Sequence, residues 1–237
     1  MRMNGKERSA ELTPRQGAED VRAVALLLPG GSVASHRGPM RLALWGLKAP
    51  AARLAGSGAS GGVAVHLLRY RFRGWNGEEA STAVDAEWAL GELARLYGDV
   101  PVAVLGNSLG GRAAFRVGGH RNVVSVTGVA PWLPDEDPVD HLAGRKILIV
   151  HGDKDKSEAT PAMSLAFAER ARRVTDVCRF EVRGGSHTLL NRAADVWSVT
   201  TDFMLSTLGC RELPAPLLGA LAEDGDLRTA LAVGYGR

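Results

Sequence analysis

The sequence predicts an α/β domain: a parallel β-sheet with helices on both faces. Three observations predict it. Six short apolar runs recur, several of them apolar at consecutive positions, as expected when both faces of a strand are covered. Helix-period segments lie between them, and strand alternating with helix implies parallel pairing. The 237 residues, 45% hydrophobic and 23% charged, suit one such domain and can fill a sizeable core.

The first run is Val24 to Leu28, closed by Pro29 and Gly30. The second is Val63 to Leu68 and the third Val100 to Leu105. "NVVSVTGVA", "KILIVHG" and "VCRFEVRG" are the fourth, fifth and sixth. "RLALWGLKAPAARLA", residues 41–55, reads as a helix kinked or broken at Pro50. In "STAVDAEWALGELARLYG", Ala86, Ala89, Leu90, Leu93 and Tyr97 recur at steps of three and four. Ser81 or Thr82 can cap its start and Gly98 can end it. "PAMSLAFAERARRV" follows with Pro161 suited to a first helical turn. "LLNRAADVWSVTTDFMLSTLG" is the last helix and ends at Gly209.

These elements place a polar, loose N-terminal tail over 1–20 and the domain over 21–209. A C-terminal extension over 210–237 forms a helix or a partly mobile tail. Gly-rich "AGSGASGG", 55–62, lacks the Lys and Ser/Thr of a phosphate loop and reads as a flexible turn.

Composition excludes several functions. A net charge of +3 is too small for a nucleic-acid footprint, and Arg69, Arg71 and Arg73, the densest basic cluster, read as solvated. No stretch approaches the roughly 18 apolar residues of a membrane span, and the N-terminus has no apolar signal core. Two cysteines, Cys178 and Cys210, make no disulfide framework. The expectation is a cytoplasmic protein, monomer or homodimer, without nucleic-acid or membrane partners. No Cys/His spacing suits a metal, and no cofactor is called for.

One serine stands where a strand breaks into a helix: Gly106-Asn107-Ser108-Leu109-Gly110. A corner that tight forces unusual backbone angles and close approach, which glycine tolerates. It can hold the serine hydroxyl above the sheet edge. In parallel sheets, reacting groups collect at the carboxyl ends of strands. The fifth strand is followed by "HGDKD", which places Asp153 and Asp155 at that edge. The sixth is followed by "RGGSHTLL", which places His187 there. A serine hydroxyl is a weak nucleophile that needs a base. Histidine can take its proton and return it to a leaving group, and a carboxylate fixes the imidazole tautomer.

Through "GNSLGG", "HGDKD" and "GGSHTLL" the chain resembles the α/β-hydrolase superfamily over about 21–208, in its small, dienelactone-hydrolase-like branch. The resemblance implies a three-layer α/β-hydrolase fold whose mostly parallel sheet has about six strands, in the order 2-1-3-4-5-6. The two opening antiparallel strands of the family are expected to be missing. It implies Ser108 as nucleophile, His187 as base and Asp155, last in HG-x-x-D, as acid. Asp153 then reads as a turn residue, and Asp135, Asp137 and Asp140 as loop and capping aspartates. The oxyanion hole takes one backbone N–H from Leu109 and a second from Gly31 or Ser32. Pro29 stands where the family usually has histidine.

Loops must select the substrate. Trp75 and Trp132 fall at the rim, where they either form an acyl pocket or shield the site. His36, in the oxyanion loop, is a further candidate to face the site. His151 reads as a packed histidine, and His66, His120 and His141 have no supporting context. The segment after the fourth strand is too short for a lid domain. An open site for a small-molecule ester or thioester follows. The implied activity is that of a serine hydrolase cleaving small carboxylic esters. A thioesterase or acyltransferase with the same triad is the alternative, and a non-catalytic binding protein of this fold is the reading from another class.

Overall fold

The computed structural model describes residues 8–222 and 225–236. In chain order its elements are β1 (Glu11–Leu12), β2 (Gln16–Gly17), β3 (Ala23–Leu28), α1 (Arg41–Gly46), α2 (Lys48–Gly58), β4 (Val63–Arg69), α3 (Ser81–Tyr97), β5 (Val102–Asn107) and α4 (Leu109–Arg116). β6 (Val123–Val129), β7 (Lys146–Gly152), α5 (Pro161–Ala171), β8 (Asp176–Val182), α6 (Ala193–Thr207), α7 (Ala215–Leu221) and β9 (Thr229–Ala230) complete it.

The six long strands run in the spatial order β4-β3-β5-β6-β7-β8, all parallel, which is the predicted order. Among the described residues the sheet nevertheless has nine strands rather than about six. β1 and β2 both pair antiparallel with β4, and β9 extends the far edge parallel to β8. Part of the presumed loose tail is therefore sheet edge, and the opening antiparallel strands exist in reduced form. Two-residue strands leave no periodicity to detect. In the C-terminal extension, Leu217, Ala220, Leu227, Leu231 and Tyr235 are buried, so α7 and β9 pack on the body.

Alternation along the strands assigns the two faces. Val24, Leu26 and Leu28 of β3 pack in one core with Leu90 and Leu93 of α3, Phe115 of α4 and Phe167 of α5. Ala23, Ala25 and Leu27 face the other core, with Leu54 of α2, Phe203 and Leu205 of α6 and Leu217 of α7. The sheet is thus the middle of three layers. Among the described residues no helix is long and apolar enough to cross a membrane.

Some local expectations are corrected. The helix over 41–55 breaks at Leu47, not at Pro50. Pro50 sits in the first turn of α2, where backbone N–H groups have no helical acceptor to lose. Neither Ser81 nor Thr82 caps α3: the helix begins at Ser81, whose hydroxyl instead donates to Glu79. "AGSGASGG" is no flexible turn but the end of α2 and a short 3₁₀ turn over Ala59–Gly61. Arg69 and Arg71 are ion-paired with Glu11 and Asp85, and Arg73 donates to the Ser35 hydroxyl.

Candidate active site

Three strands deliver the site. β5 runs into Ser108, which holds φ 54° and ψ −119°, a conformation that L-residues seldom adopt. The flanking glycines explain how the corner closes. A Cβ on Gly106 would lie 2.0 Å from the Gly110 carbonyl oxygen, and one on Gly110 would lie 2.3 Å from that of Leu28. The loops after β7 and β8 are similarly pressed together. A Cβ on Gly152 would lie 2.3 Å from the Gly185 carbonyl oxygen, which also accepts from the Lys154 N–H.

These contacts bring Ser108, His187 and Asp155 into one chain of hydrogen bonds. His187 Nδ1 is 2.7 Å from Asp155 Oδ2, and His187 Nε2 is 2.9 Å from Ser108 Oγ. A carboxylate only accepts, so Nδ1 carries the proton and Nε2 is left to accept from the serine hydroxyl. Asp155 is buried, and burial alone would raise its pKa. Donors from His151, the Ser157 N–H and His187 outweigh that and hold its carboxyl well below the usual carboxylate range.

A cavity of about 380 Å³ opens over Ser108. Gly31, Ser32, Leu109, Trp132 and His187 line it, together with Val33 and residues 157–159. Neither Lys nor Arg lies among these residues, while Glu158 does. The two candidates for the second oxyanion donor differ. The Ser32 N–H is already given to the Arg73 carbonyl oxygen at 2.8 Å, whereas among the described residues no backbone acceptor takes the Gly31 or the Leu109 N–H.

The other candidates lie elsewhere. Trp75 is buried and does not line this cavity; its indole packs 4.1 Å from the Arg112 guanidinium. Trp132 packs against the same guanidinium, at 4.6 Å, and does line the cavity. Asp137 grips Arg112 through two oxygens, and Asp135 pairs with Arg170. Asp140 begins a short 3₁₀ turn. His36 is exposed, bound to Glu79 and edge-on to Phe72, away from the cavity. An aromatic at a loop position is as useful for packing an arginine as for touching a substrate, and spacing alone does not separate the two. Asp153 accepts from the Gly184 N–H at 2.7 Å and holds a turn. His66 bridges the Thr13 carbonyl and the Tyr97 hydroxyl, and burial lowers its pKa. His141 donates to the Phe115 carbonyl, and His120 accepts from the Asn122 N–H.

One site neighbour, Ser157, escaped the sequence reading, and a second, His151, was read only as packed. Ser157 Oγ lies 3.1 Å from His187 Nδ1, two residues beyond Asp155. His151, wholly buried, bonds Asp155 from the other side at 3.1 Å. Its place as the first residue of HG-x-x-D was the available signal.

No family model and no curated protein matches the sequence. Solved structures do match the coordinates. An α/β serine hydrolase homologue from Coxiella burnetii is 16% identical with a TM-score of 0.60, over 82% of this chain and 91% of that one. Est1E from Butyrivibrio proteoclasticus is 14% identical with a TM-score of 0.61, over 84% and 94%. A serine hydrolase without a lid from Xanthomonas campestris is 16% identical with a TM-score of 0.56, over 87% and 90%. With the same parallel core and a serine elbow at its carboxyl edge, this chain has the α/β-hydrolase fold.

Proposed function

We propose that the protein is a serine hydrolase that cleaves small, uncharged carboxylic esters through an acyl-enzyme. The observation that carries this is the unbroken run Ser108 Oγ–His187–Asp155, with both links at 2.9 Å or less. Fold alone would not suffice, since one fold hosts many functions.

In this reading Ser108 Oγ forms a bond to the ester carbonyl carbon as His187 Nε2 takes its proton. Negative charge moves to the carbonyl oxygen, which the N–H groups of Leu109 and Gly31 receive. Preorganised donors of this kind each supply about 3–4 kcal/mol. The carbonyl re-forms, the bond to the leaving oxygen breaks, and His187 passes its proton to that oxygen. Water then attacks the acyl-enzyme by the same route, releasing the acid and restoring Ser108. Asp155 stabilises the imidazolium without taking the proton. Gly31 serves better than Ser32, whose N–H is already committed to Arg73.

Glu158 at the cavity, among lining residues that include no Lys or Arg, disfavours acyl groups that carry a negative charge. The same triad serves thioesters, and Est1E, one structure of which has ferulic acid bound, shows an aromatic acid accommodated on this fold. A panel of short aryl esters and acyl thioesters, run beside Ser108→Ala, tests the proposal. Ester turnover that Ser108→Ala loses supports it. Turnover of thioesters alone moves the assignment to a thioesterase, and turnover untouched by Ser108→Ala removes it.

A further inference from the structure

His187 lines two cavities. One is the cavity over Ser108. The second, about 370 Å³, lies among α1, the segment after His187 and the start of α6, and reaches Asn107 and Val129. Leu42, Trp45, Leu189, Val196 and Trp197 form much of its wall. Asp, Glu, Lys and Arg are absent from that wall among the described residues.

This groove leaves large apolar side chains in water. Leu42 is 72% exposed, Trp45 67% and Leu190 77%. α1 carries Leu42, Leu44 and Trp45 yet buries none of its residues. Clustered exposed apolar residues of this kind mark binding surfaces rather than ordinary surface. The volume falls in the range of small-molecule sites.

The reaction proposed above identifies the occupant, and the inference rests on that reading. The oxyanion donors and Ser108 belong to the first cavity, which must hold the carbonyl carbon and its acyl group. The leaving oxygen takes its proton from His187, so whatever that oxygen carries extends from His187. We infer that the groove beside α1 is the leaving-group subsite and that the substrates are esters of apolar alcohols. A neutral alkyl or aryl group matches a wall without charge. Each methylene that it buries adds up to about fourfold to kcat/KM. The cap-like feature missing from the segment after β6 is thus supplied from the other side of the site, by a six-residue helix.

The test compares two series at fixed carbon number. n-Alkyl acetates vary the alcohol, and methyl alkanoates vary the acid; release of acid is followed by pH-stat. For the acetates, kcat/KM rises from methyl to hexyl before levelling off. For the methyl alkanoates the rise is much smaller. Trp45→Ala removes a wall and Ala43→Trp fills the groove, so both flatten the acetate series. Leu218→Ser, on the exposed face of α7, leaves its slope as in the wild type. A flat acetate series with turnover still dependent on Ser108, or a rise confined to the acyl side, overturns this inference and spares the hydrolase reading. Self-association lost in Trp45→Ala, without chain-length dependence, gives the groove to a second copy and also overturns it. No ester turnover dependent on Ser108, and no fluorophosphonate adduct at Ser108, overturns both.

Discussion

His151 Nε2 lies 3.1 Å from Asp155 Oδ2 and 3.0 Å from the Ala159 carbonyl oxygen. A carbonyl oxygen can only accept, so this nitrogen carries the proton, shared between the two. Among the described residues, the other ring nitrogen, Nδ1, is buried without a hydrogen-bond partner. The ring is therefore a fixed donor that ties the 153–159 loop to the end of β7.

Removing that donor has a definite sign. Without the His151 N–H, the Asp155 carboxylate is more basic and holds the imidazolium of His187 more tightly. His151→Phe should move the acid limb of the kcat/KM–pH profile to higher pH and lower kcat. His151→Gln, whose Nε2 can occupy nearly the same place, should restore much of both. A loss of stability with an unmoved pH profile would make His151 a packing residue only.

The choice of acid is tested by paired substitutions. Asp155→Asn leaves the shape intact but offers His187 the wrong partner, and kcat should fall by about 10³–10⁴-fold. Asp153 holds only the turn to Gly184, so Asp153→Asn should keep kcat near the wild type. The reverse ranking would refute the assignment.

Asp155 also links stability to pH. Its folded pKa is lowered, so the folded chain binds that proton more weakly than the unfolded chain does. The contribution to stability is complete above the ordinary carboxylate value and is lost as pH falls through the folded value. The difference in unfolding free energy between the wild type and Asp155→Asn should therefore shrink as pH drops from about 5 towards 2. Denaturant titrations at several pH values measure it; a difference that grows with acid would contradict a lowered carboxyl pKa in the folded chain.

Arg112 fixes the rim. Its guanidinium packs against both Trp75 and Trp132, and its salt bridge to Asp137 is almost wholly buried. Arg112→Ala leaves that carboxylate without its partner and should destabilise the fold by about 3–5 kcal/mol. Asp137→Ala added to it should recover part of the loss. Chemical denaturation checks both, and simple additivity of the two losses would show that the pair is not coupled.

The parallel core was legible because several of its strands bury both faces and so read as unbroken apolar runs. Val24 to Leu28 is such a run, and each of its residues is fully buried. Ser108, Asp153, Asp155 and His187 could be placed at one edge because each lies within a few residues of a strand end, and the choice of Asp155 over Asp153 came from the resemblance carried by HG-x-x-D. β1, β2 and β9 were not, since two residues carry no pattern. Trp75 and His36 sat on suitable loops, but their partners, Arg112 and Glu79, come from distant or unpatterned segments. The groove beside α1 was hidden for the opposite reason. Leu42, Leu44 and Trp45 lie in a segment read only as helix, and only the fold shows that none of them is fully buried.

The central claim is that Ser108 Oγ is the nucleophile. Intact-mass and peptide analysis after treatment with a fluorophosphonate tests it most directly. The account predicts one adduct per chain, located on Ser108, absent from Ser108→Ala and greatly slowed in His187→Ala. Labelling that persists in Ser108→Ala, or a folded wild type that takes no label, would contradict it.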